Sequence, residues 1–267
     1  MCAALLFSTG GAAIKAVSLR GWQVAAFRSA VASVAVLVLV PAARRGWSWR
    51  AGLVGLAYAA TLVLFVLSNK LTTAANAIFL QSTAPLYLLL LGPWLLKEPI
   101  RRSDLVLMAV VGAGISLFFV GTQPRFHTAP DPLRGNVLAL VSGFAWALTL
   151  AGLRWIGGRQ SMATVAAGNA LTCLICLPKA LPVAMFSLPD MAVIGYLGVF
   201  QIGLAYLFLT NGMKTVPAVE GSLLLLVEPA LNPVWAGLIH GERPGRLAIL
   251  GGALILSAAL VRSAAPK

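Results

Sequence analysis

Lys70-Leu-Thr-Thr-Ala74-Ala-Asn76 leads through apolar sequence to Pro85 and Glu98, and Lys214-Thr-Val-Pro-Ala218-Val-Glu220 leads to Pro229 and Glu242. A shift of 144 residues lays Lys70 on Lys214, Ala74 on Ala218, Leu80 on Leu224, Pro85 on Pro229 and Glu98 on Glu242. Just upstream, Ser68-Asn69 and Thr210-Asn211 match once two residues of slippage are allowed. Apolar-rich sequence produces identities by chance, but the ordered placement of Lys, Pro and Glu favours a duplication. A duplicated membrane unit places the functional site between its two copies.

Composition fits a membrane. The chain is 60% hydrophobic and 10% charged, with a mean hydropathy of +0.91. Hydrocarbon solvates that much apolar surface only when each backbone group is bonded internally. The runs are continuous and do not alternate, so helices are expected and not a barrel. At about 20 residues per span, the expected spans are 2–18, 22–41, 51–69, 74–96, 103–121, 134–154, 162–184, 190–210, 216–240 and 246–263. The longest connection, Thr122–Leu133, carries Pro124, Pro130 and Pro132. It separates a first five-helix repeat (1–121) from a second (134–267), with 122–133 as the connecting loop. An odd number of spans makes the second copy enter from the opposite side. The expected fold is therefore an all-α polytopic membrane protein with two inverted five-helix repeats around a central cavity.

The net charge is +13. Basic residues sit mainly at span ends, as in Arg44-Arg45, Arg101-Arg102 and Arg154…Arg159, where they set topology. No basic stripe is interleaved with aromatics, which argues against nucleic acid as a partner. With the N-terminus inside, inner loops hold 11 Lys and Arg and outer loops hold 7. Both termini are expected in the cytoplasm of a multi-pass protein of the cell inner membrane. The N-terminus has no basic region before its apolar run, so it reads as a first span and not a signal peptide. A few further residues are expected ahead of it. Cys173-Leu-Ile-Cys176 lies in an apolar run without a second pair or a nearby His. His127 and His240 stand apart from any metal-ligand company. No metal and no cofactor is expected.

Of seven acidic residues, Glu98, Asp104, Asp131, Asp190 and Glu242 fall in loops or at span ends, leaving Glu220 and Glu228 inside span nine. An acidic side chain in mid-span costs roughly 3 kcal/mol. Glu228 is accordingly a candidate proton or coupling residue; the alternative is a protonated Glu bonded to a neighbouring helix backbone. Pro229 and Pro233 loosen the same span. Asn232 shares the face of Glu228, with Trp235 close by. In span four, Asn76, Thr83 and Tyr87 form one narrow helical stripe, with Gln81 well off it. Trp146 and Thr149 in span six, Asn169 in span seven and Gln201 and Tyr206 in span eight add to a polar, aromatic-rimmed interior. The substrate-binding candidates are Asn76, Thr83, Tyr87, Trp146, Tyr206, Asn232 and Trp235. Lys15 and Arg28 lie within spans one and two. They either snorkel to the interface or act as charge partners for an anionic substrate or for Glu228. The glycine pairs, such as Gly112-Ala-Gly114 and Gly251-Gly252, are expected to let helices approach closely.

The repeat, the span count and several local motifs resemble the EamA family of the drug/metabolite transporter superfamily. The motifs are Leu-Leu-Leu-Val-Glu228-Pro229 with Gly241-Glu242-Arg thirteen residues on, Ser-Thr-Ala-Pro85…Lys97-Glu98-Pro, Ala-Phe27-Arg28 and Ala-Ile-Lys15. The resemblance covers nearly the whole chain, although the family's usual short basic tail before span one is missing. It implies alternating access and transport, often export, of small polar metabolites such as amino acids, with Glu228 on the family's Glu-Pro position. Membrane lipid is the surrounding partner, and no feature sets an oligomeric state. The alternative is an integral-membrane enzyme acting on a lipid or headgroup, but no cluster of acids, bases or metal ligands assembles one. A channel lacks its ring-forming charge repeat.

Overall fold

The computed structural model describes residues 1–95, 102–120, 127–157, 160–183, 186–212 and 224–264. Apolar runs bounded by Pro, Gly and Arg fold as helices, and the described residues contain no strand. In chain order the helices are α1 (Cys2–Ser8), α2 (Gly10–Ala16), α3 (Gly21–Leu39), α4 (Trp49–Leu71), α5 (Ala74–Gln81), α6 (Ala84–Leu95) and α7 (Arg102–Leu117). They continue as α8 (Pro132–Ile156), α9 (Ser161–Ala180), α10 (Leu188–Tyr196), α11 (Ala205–Gly212), α12 (Val227–His240) and α13 (Arg246–Ala264). A π-helical stretch, Leu197–Leu204, joins α10 to α11.

Among the described residues, six stretches are long and apolar enough to cross a bilayer: Gly21–Leu39, Trp49–Leu71, Ala74–Leu91, Pro132–Ile156, Ser161–Ala180 and Leu188–Leu209. Large apolar side chains such as Val34, Leu53, Leu174 and Leu238 point outward, as a lipid-facing surface requires. The chain is an all-helical, multi-pass membrane protein.

Three of the expected spans are not continuous helices. The first breaks at Thr9, where the Ser8 and Thr9 hydroxyls donate to the carbonyls of Leu5 and Leu6, each at 2.7 Å. Such local bonds compete with the helical ladder. The fourth breaks at Ser82–Thr83, where both hydroxyls fold back on the carbonyls of Ile78 and Leu80. Pro85 follows and has no N–H to donate. In the ninth, residues 216–223 lie outside the described residues. Beyond them a turn at Leu226 precedes α12, so Glu228 stands in the first turn of a helix and not in the middle of one. The second and third of these breaks fall three residues before a proline, Ser82 before Pro85 and Leu226 before Pro229.

The helices pack in a defined set of pairs. α4 lies against α8 and α9, α3 against α9 and the π-helical stretch, α5 and α6 against α8, α1 and α2 against α12, and α7 against α13. The α7–α13 seam needs glycine. A Cβ on Gly251 would stand 2.6 Å from the Gly114 carbonyl oxygen, and one on Gly252 would stand 2.5 Å from the Phe79 ring. Gly112, by contrast, has open space around it.

Five turns gather at one end of the bundle, tied by hydrogen bonds. Asp131 N–H donates to Leu71 O at 3.0 Å, Lys70 Nζ donates to Val17 O, and Gln23 Nε2 donates to Ala180 O at 3.1 Å. The Asp190 carboxylate accepts from the Ser18 backbone N–H and from the Ser18 and Ser187 hydroxyls. The fifth turn, following α12, joins through Glu242.

Candidate functional site

Among the described residues, the most completely bonded charge lies at that end. Lys15, the last-turn residue of α2, and Glu242, just past α12, form a salt bridge of 2.9 Å with both side chains almost fully buried. Lys15 Nζ also donates to the carbonyls of Thr72 (2.7 Å) and Thr128 (2.6 Å). Glu242 accepts from the Thr128 hydroxyl at 2.6 Å and from the Ala74 backbone N–H at 2.8 Å. Ala74 opens α5, so the carboxylate sits on a helix N-terminus, where the aligned peptide dipoles favour negative charge. One ion pair thus joins α2, the start of α5, the central connection and the turn after α12. In the sequence Glu242 falls in a loop or at a span end, and Lys15 either snorkels or serves as charge partner for an anionic substrate or for Glu228. The structure instead buries both residues and pairs them with each other.

Next to this closure lies a cavity of about 440 Å³ between α2, α10 and α12, walled by Ala12, Ala13, Val193, Tyr196, Trp235 and Ile239. At the α1–α2 break, Trp235 Nε1 donates to Ser8 Oγ at 3.0 Å, and the hydroxyls of Thr9 and Tyr196 meet at 2.8 Å. Two amides rest on the glycine pair that follows. A Cβ on Gly10 would lie 2.8 Å from Gln201 Nε2, and one on Gly11 would lie 2.5 Å from Asn232 Oδ1. Asn232 is fully buried, yet neither of its amide atoms has a hydrogen-bond partner among the described residues, and Gln201 Oε1 is likewise unpaired. Buried polar atoms are normally bonded, so among the described residues Asn232 and Gln201 leave unmet hydrogen-bonding capacity inside the bundle.

On the other side of α1 lies a second polar cluster. Phe7 meets Tyr206 edge-on with ring centroids 5.2 Å apart, and Tyr206 meets Tyr58 edge-on at 5.7 Å. Trp146 packs against this same group. Arg28 is 1% exposed, in electrostatic reach of both tyrosines. Its one direct bond is a long one, Nη2 to Leu62 O at 3.4 Å, and Nε is unpaired. Arg28 therefore does not snorkel. Among the described residues no carboxylate lies within salt-bridge distance of it. The Tyr58 hydroxyl and the Asn169 carbonyl oxygen are near neighbours, but neither closes a well-formed hydrogen bond. Glu228, half-buried in the first turn of α12, lies in electrostatic reach of Tyr206.

Apart from Lys15, the residues singled out in the sequence therefore divide into three groups. Tyr206, Trp146, Arg28 and Glu228 gather around the tyrosine pair. Trp235 and Asn232 lie at the cavity and at the α1–α2 break. Asn76, Thr83 and Tyr87 face α8 instead. Asn76 Nδ2 donates to Asn136 Oδ1 (3.1 Å), Thr83 Oγ1 lies where a Cβ on Gly143 would approach to 3.0 Å, and Tyr87 Oη donates to Leu140 O (3.2 Å). Gln81 also turns to α8, donating to Ser142 Oγ at 2.8 Å. Glu220 lies outside the described residues. Tyr58, Asn136 and Ser8 were not picked out in the sequence. Tyr58 carried a signal, being a hydroxyl-bearing aromatic inside an otherwise apolar run.

Comparison with known proteins adds an independent line. The chain matches the EamA-like transporter family over residues 1–120 and again over 133–263. The chain belongs to that family. This EamA-family chain is 32% identical over 243 residues to "Uncharacterized protein PA1977" of Pseudomonas aeruginosa, covering 83% of the present chain and 77% of that protein. It is 29% identical over 181 residues to "Uncharacterized transporter YetK" of Bacillus subtilis, covering 64% and 54% respectively. A crystal structure 19% identical in sequence aligns with 98% of this chain and 93% of its own, with a TM-score of 0.64, which speaks to the fold alone. Family membership makes the chain a transporter of the drug/metabolite type.

Proposed function

We propose that this EamA-family chain is a secondary transporter that exports small polar metabolites, such as amino acids, by alternating access. In this reading ten spans form two inverted five-helix repeats, with both termini cytoplasmic and the Lys15–Glu242 end facing out of the cell through the inner membrane. The observation that carries it is the buried pair itself. Among the described residues, this buried ion pair ties the first half of the chain to the second at one end of the bundle, as a closure that opens once per cycle would do.

Two further observations support inverted repeats. The packing of α5 and α6 on α8 is answered by the packing of α12 on α1 and α2, as expected if the fourth and sixth spans correspond to the ninth and first. The helix break before Pro85 recurs before Pro229 at the 144-residue shift. Discontinuous helices around unpaired polar atoms are the usual surroundings of a transported solute. The substrate is assigned to the space between Trp235, Asn232, Trp146 and Tyr206, with Glu228 as the coupling candidate. Asn76, Thr83 and Tyr87 act on this space from behind, by fixing α5 and α6 to α8.

The test is reconstitution into proteoliposomes with counterflow of labelled amino acids. Saturable counterflow is the expected result. Turnover of a lipid or headgroup without flux would replace the transporter with an integral-membrane enzyme.

A further inference from the structure

Among the described residues, Lys15, Arg28, Asp104, Asp190 and Glu242 are the charged residues buried from solvent. Lys15 and Glu242 neutralise one another, and Asp190 collects three hydrogen bonds at the bundle end. Asp104 also has its own interactions. Arg28 differs from all of these. Seven residues into α3, about 10 Å along the helix axis at 1.5 Å per residue, it has among the described residues one long bond to a carbonyl and an unpaired Nε. A desolvated guanidinium without a counter-charge is costly, and the partner that best matches its planar fork is an oxyanion. The groups beside it suit the same ligand. Tyr58 and Tyr206 carry hydroxyls that can donate, and the Tyr58 oxygen is unpaired, as is the Ser29 hydroxyl next in sequence.

We propose that Arg28, Tyr58 and Tyr206 form the subsite that takes the carboxylate of the transported molecule. The proposal rests on the transport reading and names which end of the solute is recognised and where. Glu228 decides between kinds of anion. It lies in electrostatic reach of Tyr206 and has no salt-bridge partner among the described residues. A phosphate dianion would meet two negative charges' worth of repulsion from an ionised Glu228, with only one buried cation to offset it. A carboxylate bearing an ammonium a few bonds away would satisfy both residues at once.

The experiment measures ligand-induced thermal stabilisation of the purified full chain in detergent. The probes are the common amino acids, their carboxamides, which keep the amine and lose the anion, and inorganic phosphate. Counterflow in proteoliposomes is read in parallel. In the parent protein, one or more amino acids raise the melting temperature, while the matching carboxamide and phosphate do not. Arg28→Gln weakens binding of that amino acid at least about tenfold, the usual effect of losing a charge-assisted bond. Arg28→Lys, which keeps the charge without the fork, and Tyr58→Phe, which keeps the ring without the hydroxyl, weaken it less. These two carry the test if Arg28→Gln does not fold. The subsite is rejected if no carboxylate-bearing probe stabilises the parent, if the carboxamide binds equally well, if phosphate binds instead, or if the variants retain full affinity. Stabilisation without counterflow would reject transport and leave the subsite standing. Unchanged counterflow in Arg28→Gln would reject the subsite and leave transport standing.

Discussion

Glu242→Gln is the sharpest perturbation of the proposed closure, because it changes charge and almost nothing else. The glutamine carbonyl can still accept from Ala74 N–H or the Thr128 hydroxyl, and Lys15 keeps its bonds to the carbonyls of Thr72 and Thr128. What is lost is the 2.9 Å ion pair in a site where both side chains are hidden from water. Removing one partner of a buried pair costs about 3–5 kcal/mol, since the remaining charge is stranded. Lys15 escapes that cost wherever water reaches it, in a conformation open at this end. Because Lys15 retains two carbonyls, the lower figure is the safer one. About 3 kcal/mol corresponds to roughly a hundredfold shift toward the open form. The assay is labelling of Ser8→Cys, a fully buried position on the far side of the closure, by a membrane-impermeant maleimide. The background has Cys2, Cys173 and Cys176 replaced by serine. Labelling from outside should accelerate by about two orders of magnitude in Glu242→Gln. The charge exchange Lys15→Glu with Glu242→Lys should slow it again, incompletely, because a glutamate at position 15 faces two carbonyl oxygens. A lower melting temperature with unchanged labelling would refute the reasoning, since the pair would then hold the fold without gating it.

Other outcomes follow from the same coordinates. Glu228→Gln should express normally yet reduce flux and flatten its dependence on pH between mildly acidic and neutral conditions; flux unaltered in rate and pH profile would remove Glu228 from coupling. Trp146→Ala and Tyr206→Ala should each raise the apparent KM for the transported solute, and unchanged kinetics in both would take them out of the site. Gly251→Ala forces a Cβ to 2.6 Å from the Gly114 carbonyl oxygen, which should destabilise the α7–α13 seam by about 1–3 kcal/mol. A melting temperature equal to the parent's would show that the seam relaxes freely.

The helical membrane class was legible in the sequence because apolar length is a one-dimensional property. Spans two, three, six and seven coincide with α3, α4, α8 and α9 to within a few residues. The breaks were harder to read. Thr9 and Ser82 interrupt runs that look uninterrupted because hydroxyl-to-carbonyl bonds leave the hydropathy almost unchanged. The stripe of Asn76, Thr83 and Tyr87 was visible as a stripe, but helical periodicity does not say which neighbour a face will meet, and here it meets α8. Lys15 and Glu242 lie 227 residues apart, and only the folded bundle brings them together. Glu242 falls in a loop or at a span end in the sequence, and nothing in its spacing shows that the fold buries it. Arg28 could be located but not interpreted, since what distinguishes it is the shortage of partners in three dimensions.

The two buried cations differ in what water can do for them. Every bond at the Lys15–Glu242 closure ends on a group at the bundle end: two turn carbonyls, one hydroxyl and one helix-terminal N–H. When that end parts, water can take over each of these contacts, so opening exchanges protein hydrogen bonds for hydrated ones at nearly even exchange. Around Arg28 no such substitution is at hand, because the guanidinium lies a third of the way down a membrane helix among tyrosine rings. A molecule built this way resists rearrangement least at its mouth and most at its waist. Its motion is therefore expected to be concentrated at the mouth, while the geometry around Arg28 stays constant through the cycle.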